Sequence, residues 1–132
     1  MYRLRAKKIQ TLVFPYPDNF DGLYELMIVV GQMLGKKKEA MLAVRDLKDE
    51  VEAVRKTQPK IKPRVLVVID YPPIIGAAPR TFIGKIIDLA GGLNIVDPAG
   101  EFYTKIRVDY LMRKNPEVVL VTNPNITGKL IF

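Results

Sequence analysis

Apolar residues along this chain fall into two kinds of run. Val65 to Ile69 and Val118 to Val121 are continuous aliphatic stretches, mostly β-branched, as suits strands buried on both faces. Elsewhere the apolar positions recur at helical spacing. Leu23, Met27, Val30 and Leu34 follow i, i+4, i+7, i+11 behind an Asp18-Asn19 N-cap, and Gly35 is placed to end that helix. Ala40, Val44, Leu47, Val51 and Val54 mark one face of a second helix over Lys37 to Lys56, with Lys48, Glu52 and Lys56 at i, i+4 spacing on the other. That pattern lasts only about two heptads, so it predicts a core-facing helix rather than a coiled coil. Thr81 caps a third helix with Phe82, Ile83, Ile86, Ile87 and Ala90 on its apolar face, and Gly91-Gly92 closes it. A short helix over about Ile106 to Lys114 stops at Asn115-Pro116. Ile9 to Phe14 reads as a strand closed by Pro15 and Pro17, Asn94 to Val96 as a short strand, and Asp97 to Gly100 as a turn.

Two buried strands separated by helix-bearing segments predict an α/β fold, a parallel sheet with helices packed on it. Ligands of such sheets gather outside the carboxyl ends of the strands. Here those ends lead into Asp70 to Thr81 and Thr122 to Thr127. The first contains YPPIIGAAPR, a stiff loop of small side chains in which the backbone and Tyr71 can face a ligand.

Composition narrows the chemistry. Among 132 residues there is no cysteine, no histidine and no serine, which removes disulfides, Cys/His metal sites and histidine-dependent triads. No phosphate-binding glycine motif is present either. Acid pairs such as Asp46/Glu50 and Asp49/Glu52 sit on the charged face of a helix and read as solvated. No catalytic constellation, metal cluster or cofactor motif is expected. Tyr71, Arg80, Tyr103, Lys105 and Arg107 are the candidates for contact with an anionic, oxygen-rich or planar ligand, because they occupy loops or helix starts near one presumed sheet edge. The net charge of +7 leaves nucleic acid open as a partner. The basic residues are spread out, however, apart from Lys36-Lys37-Lys38 and Arg3/Arg5/Lys7/Lys8. No run reaches the roughly 20 apolar residues of a membrane span, and MYRLRAKK lacks the apolar core of an export signal.

Several motifs in series resemble the C-terminal lobe of substrate-binding proteins of ABC importers for iron chelates, haem and cobalamin. They are Ala90-Gly91-Gly92-Leu93-Asn94-Ile95, the aromatic Tyr103, the acid Asp109 and Asn115-Pro116-Glu117-Val118-Val119. Upstream, Leu34-Gly35-Lys36 to Ala40 is similar to the segment that starts the family's inter-lobe helix. The resemblance implies a Rossmann-like lobe with a parallel sheet, preceded by the inter-lobe helix. Residues 1–19 would be a remnant of the N-terminal lobe, 20–58 the connecting helices and 64–132 the C-terminal lobe. It further implies Tyr71, Arg80 and Tyr103 at the ligand, a metal chelate or corrinoid, and Asp109 docking on a membrane permease in an extracytoplasmic setting. The usual acid there is glutamate, one methylene longer.

Measured against that family, the chain is expected to lack the N-terminal lobe, the exported leader and a last helix after Phe132. Uncovered apolar surface is then expected to be buried by self-association, with helices exchanged between copies. A Rossmann-like enzyme and a basic nucleic-acid-binding protein are the alternatives that the residues leave open.

Overall fold

The structure is a computed structural model that describes residue 11 and residues 13–122. Its axis is β1 (Arg64–Asp70), whose aliphatic residues are buried on both sides. Leu66 and Val68 enter one cluster with Ile74, Ala78, Ile95, Val96, Ile106 and Leu111. Val65 and Val67 enter the opposite one with Ala77 and Ile87. Period-2 alternation places consecutive β1 residues on opposite faces, so an unbroken aliphatic run is what a doubly covered strand requires.

β5 (Val118–Val121) lies parallel along one side of β1, with Val65 opposite Val118 and Val68 opposite Val121. The other side is shared by two short strands. β3 (Leu93–Asn94) pairs parallel with Arg64 and Val65, and β2 (Ile75–Ala77) pairs antiparallel near Val68 and Asp70. The Asn94 side-chain amide joins the two, donating to the Ala77 carbonyl at 2.9 Å. β4 (Tyr103–Lys105) completes the five-stranded sheet outside β2, again antiparallel, with Ala77 opposite Tyr103 and Ile75 opposite Lys105.

Four helices accompany the sheet among the described residues. α1 (Phe20–Met33) is capped by Asn19, whose side-chain oxygen accepts from the Gly22 N–H at 2.8 Å. It ends at Gly35, φ +68°, where the Gly35 and Lys36 N–H groups return to the Gln32 and Gly31 carbonyls. That doubled bond at a left-handed glycine is the reason the helix stops instead of running on. α2 (Lys37–Lys56) follows at once and packs back on α1, with Ala40 against Gly31. α3 (Phe82–Leu89) is capped by Thr81, and its Ile87 covers one sheet face. α4 (Val108–Lys114) places Leu111 on the other and stops at Asn115, which adopts φ 44°. An aromatic chain ties α1 to α3: the Phe20 ring stands 5.2 Å from Phe82 and 6.3 Å from Tyr24.

The α/β class and the parallel pairing of β1 with β3 and β5 agree with expectation, yet the sheet is mixed. The loop after β1 contains β2, which pairs antiparallel because the connection from Asp70 to Ile75 is too short for a parallel crossover, and β4 pairs antiparallel with β2 in turn. The two helices expected before and after Gly35 are present as α1 and α2. On α1 the buried positions are Tyr24 and Gly31, while Val30 and Leu34 of the expected stripe are exposed. The α2 face is as expected except for Val54, which is exposed. β5 is not a buried strand: Val118, Val119 and Leu120 are 38, 37 and 48% exposed, because among the described residues β5 pairs only with β1. Of the expected strand Ile9–Phe14, residues 9, 10 and 12 lie outside the described residues, and Val13 and Phe14 form no strand. Arg3, Arg5, Lys7, Lys8, the loop beyond Thr122 and Phe132 also lie outside them.

Candidate functional site

Strand register decides which candidates meet. β2 runs back from the carboxyl end of β1, and β4 runs parallel to β1 again. Lys105 therefore lies at the same end of the sheet as Asp70 and Tyr71, whereas Tyr103 lies at the other end of β4. The structure separates the candidates into two groups that the sequence had placed at one edge.

The first group gathers around a concavity of about 430 Å³ lined by Tyr16, Pro17, Asp18, Thr81, Phe82, Phe102 and Tyr103. Its walls are built locally. The Ala78 N–H donates to the Phe102 carbonyl at 2.9 Å, which fastens the Asp97–Phe102 turn to the segment entering α3. Within that turn the Asp97 carboxylate accepts from the Ala99 N–H at 2.9 Å, and the Thr104 hydroxyl donates to the Glu101 carbonyl at 3.0 Å. Thr81 is buried. Its hydroxyl donates to the Ala78 carbonyl at 2.7 Å and accepts from the Gly84 N–H at 3.0 Å, so the floor of the concavity is also the start of a helix.

Phe102 and Tyr103 are 52 and 48% exposed, and Tyr16 is 83% exposed. Large aromatic surface left in water beside a concavity is the usual mark of a contact surface. Arg80 stands at its edge: the guanidinium lies 4.4 Å from the centre of the Phe102 ring and donates to the Gly100 carbonyl. A second concavity of about 380 Å³ shares Tyr16, Pro17 and Asp18 and continues along α1 past Phe14, Leu26 and Val29.

Tyr71 is not among the lining residues. It is half-buried against the Leu66 cluster at the carboxyl end of β1, where its N–H donates to the Asp70 carboxylate at 2.8 Å. Lys105 is exposed near that end. Arg107 precedes α4, and its guanidinium donates to Asp109 at 2.9 Å, while Arg113 reaches the other carboxylate oxygen at 3.1 Å. The hydrogen bond from Arg107, reinforced by Arg113, holds the Asp109 carboxyl down at about 2. A folded-state value below the ordinary 3.8 means that the pairing supports the fold at pH above the ordinary value and is lost as pH falls towards 2. Following the Asp109 carboxyl carbon by NMR should give a midpoint near 2. A midpoint at the ordinary value would mean that the two arginines do not hold it in solution.

Tyr16, Phe82 and Phe102 were missed as contact residues. The signal available for Tyr16 was its place between Pro15 and Pro17 just before a helix cap. Phe82 was assigned wholly to a helix face, and Phe102 was passed over beside Tyr103.

Comparison with known proteins supplies a context for this site. A sequence profile described as periplasmic binding protein matches residues 1–130. A cobalamin-binding protein of Halobacterium salinarum is 28% identical over 123 residues, covering 89% of this chain and 33% of the relative. The high-affinity heme uptake system protein IsdE of Staphylococcus aureus is 23% identical, covering 78% of this chain and 36% of the relative. The chain thus spans about a third of the length of these curated relatives. Among solved structures, the periplasmic heme binding protein HutB of Vibrio cholerae superposes with a TM-score of 0.85 at 20% identity, over 96% of this chain and 50% of that one. The periplasmic vitamin B12 binding protein BtuF of the same organism gives 0.74 at 16% identity, over 97% and 50%. At those identities the structural likeness establishes the fold alone.

Proposed function

This chain belongs to the periplasmic binding protein family, and from that premise we propose that it forms one wall of the ligand cleft in the solute-binding component of an ABC importer. The ligand is an iron chelate, haem or a cobalamin-type compound, delivered to a membrane permease on the extracytoplasmic side. The observation that carries this reading is the aromatic concavity. Residues 16–18, which precede the two helices, and residues 81, 82, 102 and 103 of the α/β unit face the same space. A cleft between two lobes has that construction: one wall from each side of a connecting element. In this reading residues up to 19 belong to the first lobe, 20–58 connect, and residues from 64 onward form the second lobe. Tyr103 and Arg80 contact ligand at the concavity, while Tyr71 acts at a separate end of the sheet. Asp109 docks on the permease by exchanging Arg107 and Arg113 for arginines of the partner, a substitution of like for like that costs little at an exposed site. Self-association of the chain belongs to the same reading, supported by the exposed Met33, Leu34, Met41 and Leu42 around the α1–α2 connection.

Titration of the isotope-labelled chain with ferric protoporphyrin IX, a ferric chelate and cyanocobalamin, each followed by NMR, tests the proposal. One of them should shift Tyr16, Phe102 and Tyr103 resonances first, with modest affinity because the Phe102 and Tyr103 rings lining the concavity stay about half exposed. Tyr103→Ala should weaken that binding roughly tenfold, the scale of losing one stacked ring. Shifts confined to other surfaces, or none with any of the three, would remove the reading.

A further inference from the structure

Arg80 differs from every other arginine among the described residues. Arg45, Arg55, Arg64, Arg107 and Arg113 each stand within 3.5 Å of a carboxylate oxygen. Arg80 has no carboxylate partner there. Its guanidinium is instead laid on the Phe102 ring and tied to the Gly100 carbonyl. Both contacts fix the plane of the group, and neither neutralises it. A guanidinium carries five N–H donors, and one backbone carbonyl leaves most of them available. The result is a pre-oriented, uncompensated fork beside an aromatic wall of the concavity. That geometry matches a carboxylate in bidentate fashion, and its orientation has already been fixed before any ligand arrives.

Resting on the reading of this concavity as a ligand wall, we infer that Arg80 sets specificity, favouring a planar conjugated ligand that bears carboxylates over a macrocycle whose periphery is neutral amide. The aromatic rings of Phe82, Phe102 and Tyr103 accept any flat apolar body and discriminate little between the two. Arg80 discriminates because an amide periphery returns only neutral hydrogen bonds to a charge that the ligand desolvates, whereas a carboxylate compensates it. Asp18, which also lines the concavity, adds direction. Its carboxylate, already accepting from the Asn19 side chain at 2.9 Å, repels a ligand carboxylate. The ligand therefore lies with its acid groups towards Arg80 and its apolar edge towards Asp18.

The test compares protoporphyrin IX, its dimethyl ester and cyanocobalamin on the whole chain, by porphyrin fluorescence anisotropy and by the NMR shifts of Phe102 and Tyr103. The diacid should bind at least about tenfold more tightly than the diester, the scale of a charge-assisted hydrogen bond. Arg80→Gln should remove most of that difference by weakening diacid binding far more than diester binding, and Asp18→Asn should leave the diacid preference in place. Equal affinity for diacid and diester, or a preference for cyanocobalamin, would overturn the role of Arg80 while leaving the site itself standing. Absence of shifts at Phe102 and Tyr103 with all three compounds would overturn both.

Discussion

Replacing Gly84 with alanine is expected to destabilise the chain by about 3 kcal/mol and to weaken ligand binding in the same variant. Gly84 sits in the first turn of α3, and a Cβ built there would stand 2.4 Å from the Ala78 carbonyl oxygen and 2.5 Å from that of Pro79. Both obstacles are backbone, so no side-chain rotation relieves them. The Ala78–Arg80 segment must move away, and it is fastened on its far side by the Ala78 N–H to the Phe102 carbonyl. Movement there displaces Arg80 from Phe102 and shifts the aromatic wall with it. Urea denaturation gives the stability change, and porphyrin titration below the transition gives the binding change. A variant as stable as the parent, with unchanged affinity, would show that this segment is free to shift and that the site is not braced by the helix start.

Leu66→Ala should cost about 3–4 kcal/mol, the middle of the range for emptying a fully enclosed leucine. Leu66 has no exposed surface and lies at the centre of the cluster formed by β1, the Ile95–Val96 segment and α4. Its neighbours on both sides are held by parallel pairing to β3 and β5, which limits how far the cavity can collapse. Because stabilities of single domains are only about 5–15 kcal/mol, this change alone should move the denaturation midpoint by a large fraction. A loss below about 1 kcal/mol would indicate a core that repacks easily and would contradict the tight burial described for β1.

Much of the local structure could be read directly from residue order. Thr81 and Asn19 cap helices because their side-chain oxygens reach N–H groups three residues on. Gly35 and Asn115 end helices because they accept positive φ. The unbroken aliphatic run in β1 announced burial on both faces. β2 and β4 were not legible, since three-residue strands carry no periodicity and acquire their identity only from the partner beside them. β5 shows the converse: the same Val-rich composition that buries β1 leaves it half in water, because coverage depends on neighbours rather than on propensity.

Arg80 and Tyr103 were identified from residue type and loop position; Tyr103 lines the concavity with Phe102, and Arg80 lies against the Phe102 ring. Tyr71 and Lys105 fulfilled the same criteria but fall at the other end of the sheet, a difference created by the antiparallel register of β2 with β1 and β4. The sequence by itself determined the helices, their caps, the central strand and the chemistry available, since each depends on contacts between residues a few positions apart. Tertiary structure alone decided that Tyr16 lines one concavity with Tyr103 and that Arg80 lies on Phe102 with no acid to neutralise it among the described residues. Those relations depend on strand register and chain reversal, which join residues distant in the chain and leave no local pattern to read.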